Sequence, residues 1–247
     1  MDTKINISWN GRPLNIEVGN KAKQADGSAW VQYGDSVVLV TAVSAGVREG
    51  IDFFPLTLEY KEMTYAAGKF PGGFIKREGS PSENEILISR LIDRPIRPLF
   101  PEGYQNEVQI IATVLSFDGD NDTDILAMIG ASAALEVSQI PFLGPISGVK
   151  VGLVDGKFVS NPVASEKEKS EMEIIIAGSK NGVVMVEGWA NCLPEKVIID
   201  AIEFGYNSLK PVLDLQEELK YMAGKPKILV PPPVLNSELE EKIEAEY

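Results

Sequence analysis

Four short turn signals cut this chain into paired strands, and they constrain its fold more than any other feature. Asn10-Gly11, Gly34-Asp35, Asp155-Gly156 and Asn181-Gly182 each follow a run rich in β-branched and aromatic residues. Asn, Asp and Gly tolerate the positive φ angles that tight hairpins demand. The pattern therefore predicts that residues 5–9 pair with 14–18, 29–33 with 36–43, and 172–178 with 183–188, and that the strand 149–154 turns at Asp155-Gly156. The run 36–43 is almost wholly apolar, as a central strand buried on both faces would be. Residues 56–60 and 108–115 are further strand candidates.

Helix signals fall between these strands. Ser82-Glu83-Asn84-Glu85 matches a capping box, so a helix should start at Ser82 and carry Ile86, Leu87, Arg90 and Leu91 up to breaks at Pro95 and Pro98. Residues 125–137 read as an alanine-rich buried helix in which Gly130 permits close packing. Pro194 suits the start of a long helix over 195–209, continuing to about residue 222. Hairpins mixed with long helices indicate an α+β fold. One domain is expected over residues 1–224, then a proline-rich linker over 225–236. A helix begins at Ser237 and is still open at Tyr247, which implies a fragment of a longer protein.

Composition excludes several kinds of chemistry. The chain has no histidine and one cysteine, so histidine-based nucleophilic catalysis and His- or Cys-ligated zinc are ruled out. What remains is carboxylates, Lys, Tyr, hydroxyls, backbone amides, or an oxygen-bound Mg²⁺ or Mn²⁺. Cys192 reads as a small buried apolar residue, and the lack of any disulfide fits a reducing cytoplasm. No apolar run approaches the roughly 18 residues of a membrane span, and residues 1–6 lack the pattern of a signal peptide.

The net charge is −13, yet four of the six arginines, Arg77, Arg90, Arg94 and Arg97, fall within 21 residues beside the glycine-rich loop 66–74. Arginine donates two parallel hydrogen bonds and stays charged, so such a cluster points to an anion such as phosphate.

These segments also carry a likeness. Thr64-Tyr65-Ala66-Ala67-Gly68-Lys69, Pro71-Gly72-Gly73-Phe74, Arg77-Glu78-Gly79, Ser82-Glu83 and the run from Arg90 to Pro101 together resemble the first ribonuclease PH-like domain of the bacterial polynucleotide phosphorylase family. Residues 129–135 continue the resemblance, which covers essentially the whole chain. It implies a ribonuclease PH fold, related to the ribosomal protein S5 domain 2-like topology. It also implies a homotrimeric ring that degrades single-stranded RNA from the 3′ end, with inorganic phosphate as nucleophile, nucleoside diphosphates as products and Mg²⁺ or Mn²⁺ as cofactor. RNA degradosome components are implied as partners.

By position, the resemblance gives Lys76, Arg77, Arg94 and Arg97 the role of holding the RNA backbone. Phe74 matches the aromatic of the channel constriction, where bases stack. Lys76 stands where the family often has Arg, and Ser80 where it usually has Arg, so a weaker grip is expected. The family's active second domain carries a serine run where this chain has Asp118 to Asp124, and two metal-holding aspartates where this chain has Ser165 and Glu171. Acidic residues would repel phosphate, and one carboxylate is a poor Mg²⁺ site. No catalytic or metal residue, and no cofactor, is therefore expected in this domain. Asp122 or Thr123 should cap the following helix. Three alternatives stay open: an independently active domain with a metal cluster at Asp118, Asp120 and Asp124, a non-catalytic RNA-binding or assembly module, and a sensor of small nucleotides.

Overall fold

The computed structural model describes residues 2–47, 50, 53–72 and 79–231. Hairpins build its first sheet. β1 (Thr3–Trp9) and β2 (Arg12–Val18) pair antiparallel, with Ile5 opposite Ile16, across a turn where Asn10 and Gly11 take φ of 50° and 77°. β3 (Gly27–Tyr33) adds to β2, and β4 (Ser36–Val47) returns along β3. β6 (Asn106–Ser116) runs antiparallel to β4, and β5 (Leu56–Glu62) runs parallel to β6 at the edge. The order is β1-β2-β3-β4-β6-β5. The apolar β4 is thus an interior strand. Its residues from Ser36 to Ala42 are buried or half-buried, but Val43 and Val47 are exposed, so the expected two-sided burial ends at Ala42.

A second, antiparallel sheet has the order β10-β9-β7-β8. It comprises β7 (Ser147–Val154), β8 (Lys157–Ser160), β9 (Met172–Ser179) and β10 (Gly182–Ala190). The helix α2 (Thr123–Val137) lies between the sheets, against β3, β4 and β6 on one side and β7 on the other, and every one of its residues is buried. Small side chains make this possible. A Cβ on Gly130 would lie 2.5 Å from Val40 Cγ2 and 3.1 Å from Val31 Cγ2, closer than packed carbons come. The single helix α4 (Glu195–Ala223) covers β7 and β9 and reaches β1, where Trp9 Nε1 donates to Ser208 O at 2.8 Å.

Two local expectations need correction, and the segment after α4 adds a detail. The helix α1 (Glu83–Ile96) continues through Pro95 instead of stopping there. Pro95 sits in the last turn, where the missing N–H costs one helical hydrogen bond, and its ring is buried. Pro98 does end the helix, within a 3₁₀ turn over Arg97–Leu99. Cys192 is exposed, not buried, because it occupies the tight turn between β10 and α4 with φ of 51°. Finally, residues 225–228 lie against the domain. Lys225 N donates to Val137 O, Ile228 N to Gln139 O, and Lys227 Nζ to the oxygens of Leu135, Glu136 and Ser138. They add donors to the carbonyls at and just beyond the end of α2. The helix expected from Ser237 lies outside the described residues.

Candidate nucleic-acid interface

The capping box sets the direction of α1. Ser82 Oγ accepts from Glu85 N at 3.2 Å, and Glu85 Oε2 accepts from Ser82 N at 2.6 Å. Glu85 Oε1 also accepts from Glu62 N, and Ser89 Oγ accepts from Tyr60 N, which binds the helix to β5. With Leu91, Ile92 and Ile96 turned into the core, helical periodicity puts Arg90, Asp93, Arg94 and Arg97 on the outside. Together with Pro98 they line an open groove of about 520 Å³.

The arginines of this groove are not equivalent. Arg97 is held within the protein. Its Nε and Nη2 donate to the two carboxylate oxygens of Asp93 at 3.0 and 2.8 Å, and Nη1 and Nη2 donate to the carbonyls of Phe54 and Leu56 at 3.1 Å. Four of its five N–H groups are thereby used, and its guanidinium also lies 5.9 Å from the Phe54 ring centre. Among the described residues Arg94 forms one ion pair, with Glu187 on β10. Arg90 is exposed and forms no ion pair among the described residues. Ser80 is exposed as well. Phe74, Ile75, Lys76 and Arg77 lie outside the described residues.

A different arrangement occupies the start of α2. Lys150 on β7 is buried, with its ammonium 2.7 Å from Asp124 Oδ2 and 3.0 Å from Asp122 Oδ2. Lys167 in the short helix α3 (Ala164–Lys167) pairs with the other Asp122 oxygen. Burial alone would push Lys150 down, but Asp124 and Asp122 outweigh it and hold the amine above its ordinary range, charged at all physiological pH. Asp122 stands at the helix N-cap but accepts no hydrogen bond from the helix backbone, because both of its oxygens face lysines. Thr123 does not cap either. It begins the helix, and its hydroxyl meets Tyr60 OH at 2.6 Å.

Asp118 is similarly committed. Its oxygens accept from the backbone N–H groups of Asp35, Asp120 and Asn121, the Asn121 amide and the Ser36 hydroxyl. Burial raises its carboxyl, but these hydrogen bonds prevail and hold it far below the usual carboxylate range. Ser165 is exposed on α3, and Glu171 is exposed just ahead of β9. Among the described residues, no three carboxylate, His or Cys side chains converge as a metal site would need.

The matches to known proteins follow the two sheets. Residues 10–141 match the 3′ exoribonuclease family, domain 1, and residues 144–208 match the 3′ exoribonuclease family, domain 2. The chain belongs to the 3′ exoribonuclease family. It is 59% identical over 225 residues to the polyribonucleotide nucleotidyltransferase of Geobacter sulfurreducens, covering 91% of this chain and 32% of that protein. To the polyribonucleotide nucleotidyltransferase of Geotalea uraniireducens it is 56% identical over 244 residues, or 98% of this chain and 35% of the relative. The chain thus spans about a third of the length of the curated relatives it matches. The crystal structure of rice (Oryza sativa) Rrp46 superposes with a TM-score of 0.69 at 17% identity, over 85% of this chain and 95% of the other. That likeness speaks for the fold, which is the α+β ribonuclease PH fold.

Proposed function

We propose that this chain is part of a phosphate-dependent 3′-to-5′ exoribonuclease that degrades single-stranded RNA to nucleoside diphosphates. In this reading the domain guides RNA and helps to build a homotrimer, and the catalytic centre lies elsewhere in the longer protein. The observation that carries it is the contrast between the two ends of the fold. At the start of α2, where an anion would have to bind, Asp122 and Asp124 are locked onto Lys150, and Thr123 onto Tyr60. On α1, by contrast, three arginines line a groove open to solvent.

The residues present do not fit Mg²⁺ or inorganic phosphate. The carboxylates of Asp118, Asp122 and Asp124 already have hydrogen-bonded or ion-paired partners within the protein. Both groups are accordingly assigned to the longer protein. This also argues against an independently active domain with a metal held at Asp118, Asp120 and Asp124. The chemistry left to this chain is backbone contact: Arg94, with Lys76 and Arg77 earlier in the sequence, offers cations to phosphates, Arg97 adds its charge while held by Asp93, and Phe74 offers a face to a base. Degradosome partners and a cytoplasmic location belong to the same proposal.

The test is release of nucleoside diphosphate from single-stranded oligo(A) by the purified chain, supplied with phosphate and Mg²⁺. No release is expected, while the chain still binds the oligonucleotide. Arg94→Ala should weaken that binding and lower its salt dependence by about 0.7 in log–log slope, the share of one single-strand phosphate contact. Clear phosphate-dependent release would assign a catalytic centre to this chain and overturn the reading.

A further inference from the structure

We propose that Glu187 is a built-in competitor for the arginine groove. It holds Arg94 as a stand-in for a phosphate and so limits how tightly the groove binds an anionic strand. The inference rests on the reading of that groove as an RNA contact.

Among the described residues, Arg94 has a single ion-pair partner. Arg97 is fixed by Asp93 and two backbone carbonyls, so it has little freedom to turn toward a ligand. Among the described residues Arg94 Nη1 donates to Glu187 Oε2, and both side chains are about half exposed, at 58% and 48%. An exposed pair of this kind contributes little to stability. It does, however, occupy the guanidinium that an incoming phosphate would use, because carboxylate and phosphate present the same oxygen acceptors to the arginine fork.

The carboxylate is brought there by the backbone rather than by chance swing of a loop. Glu187 lies inside β10, paired opposite Ile175 of β9, and α1 packs against this strand. The next residue, Gly188, has φ of 158°, and a Cβ there would come 2.1 Å from Glu173 O. Only glycine lets the two strands lie this close, and the fit pins Glu187 beside the groove. Among the described residues, the charged groups that line the groove with Arg94 are Arg90, Asp93 and Arg97, all on α1 or at its end. Among the described residues, Asp93 is spent on Arg97, which leaves Glu187 as the acid paired with Arg94.

The test is a double-mutant cycle on this chain, read by fluorescence anisotropy of labelled single-stranded oligo(A) at low and at raised salt. Glu187→Gln should tighten binding roughly two- to fivefold at low salt, the range that an exposed ion pair spans, with an unchanged melting temperature. The gain should vanish when Arg94→Gln is also present. Glu203→Gln, on α4 and outside the groove, removes the same charge and should produce no comparable gain. Glu187→Gln without effect, or with weaker binding, would overturn the proposal, as would an equal gain in the Arg94→Gln background or from Glu203→Gln. If Arg94→Gln weakens binding but Glu187→Gln is silent, only this inference fails. If Arg94→Gln itself changes nothing, the RNA reading of the groove fails with it.

Discussion

Lys150 carries its charge into the space between the sheets, and two aspartates make that tolerable. Its side chain and that of Asp124 are each only 10% exposed. Removing one member of such a pair leaves the other as a buried, uncompensated charge. Lys150→Met should therefore cost about 3–5 kcal/mol in urea denaturation, and adding Asp124→Asn should recover much of the loss. This pairing could not be read from the sequence, where position 150 is one lysine in a strand and position 124 one acid in an acidic loop. Residue type showed the acids of this loop, but it missed the lysine that pairs with two of them. Arg97 teaches the same lesson from the other side. Its cluster was visible along the chain, whereas its use as a clamp on the carbonyls of Phe54 and Leu56 depends on residues more than forty positions away.

At the scale of elements, local chemistry was the legible part. Asn10-Gly11, Asp155-Gly156 and the Ser82–Glu85 box act within a few residues, and each produced the turn or helix start expected of it. Pro95 and Cys192 departed from expectation because their outcome depends on how far the element runs and where the turn falls. Gly130 lies between these cases: the sequence suggested close packing, and the structure supplies its partners. Gly130→Ala would press a methyl group onto Val40 and Val31, a kind of overpacking that costs about 1–3 kcal/mol. Val40→Ala should open room for it. In thermal melts, the double variant should lose less stability than the two single losses added together.

Across the whole molecule, the absence of histidine removes the usual source of pH sensitivity near neutrality. Among the acids, Glu136 is raised by burial. It is fully buried on α2, and its partner is the half-exposed Lys220, whose Nζ lies 2.8 Å from Oε2. Burial raises its carboxyl above the ordinary 4.5, against the opposing pull of Lys220 and Lys227 and with the help of Glu217. A group raised on folding stabilises the protein below its unfolded value, and that contribution is lost as pH rises through the folded value. Glu136→Gln should therefore be more stable than the parent at neutral pH, and the advantage should disappear below about pH 4.5 in denaturation curves taken across that range.

The first strand and the last helix share a bond that has a consequence for synthesis. The indole of Trp9, almost fully buried, finds its acceptor at Ser208, 199 positions along the chain, and Lys225 reaches back by the same interval to the carbonyl of Asp26. No nascent polypeptide that stops short of Ser208 contains the partner that its ninth residue needs. The β1–β2 hairpin therefore leaves the ribosome well before its partner on α4, and over those 199 positions of synthesis it waits with a bare indole.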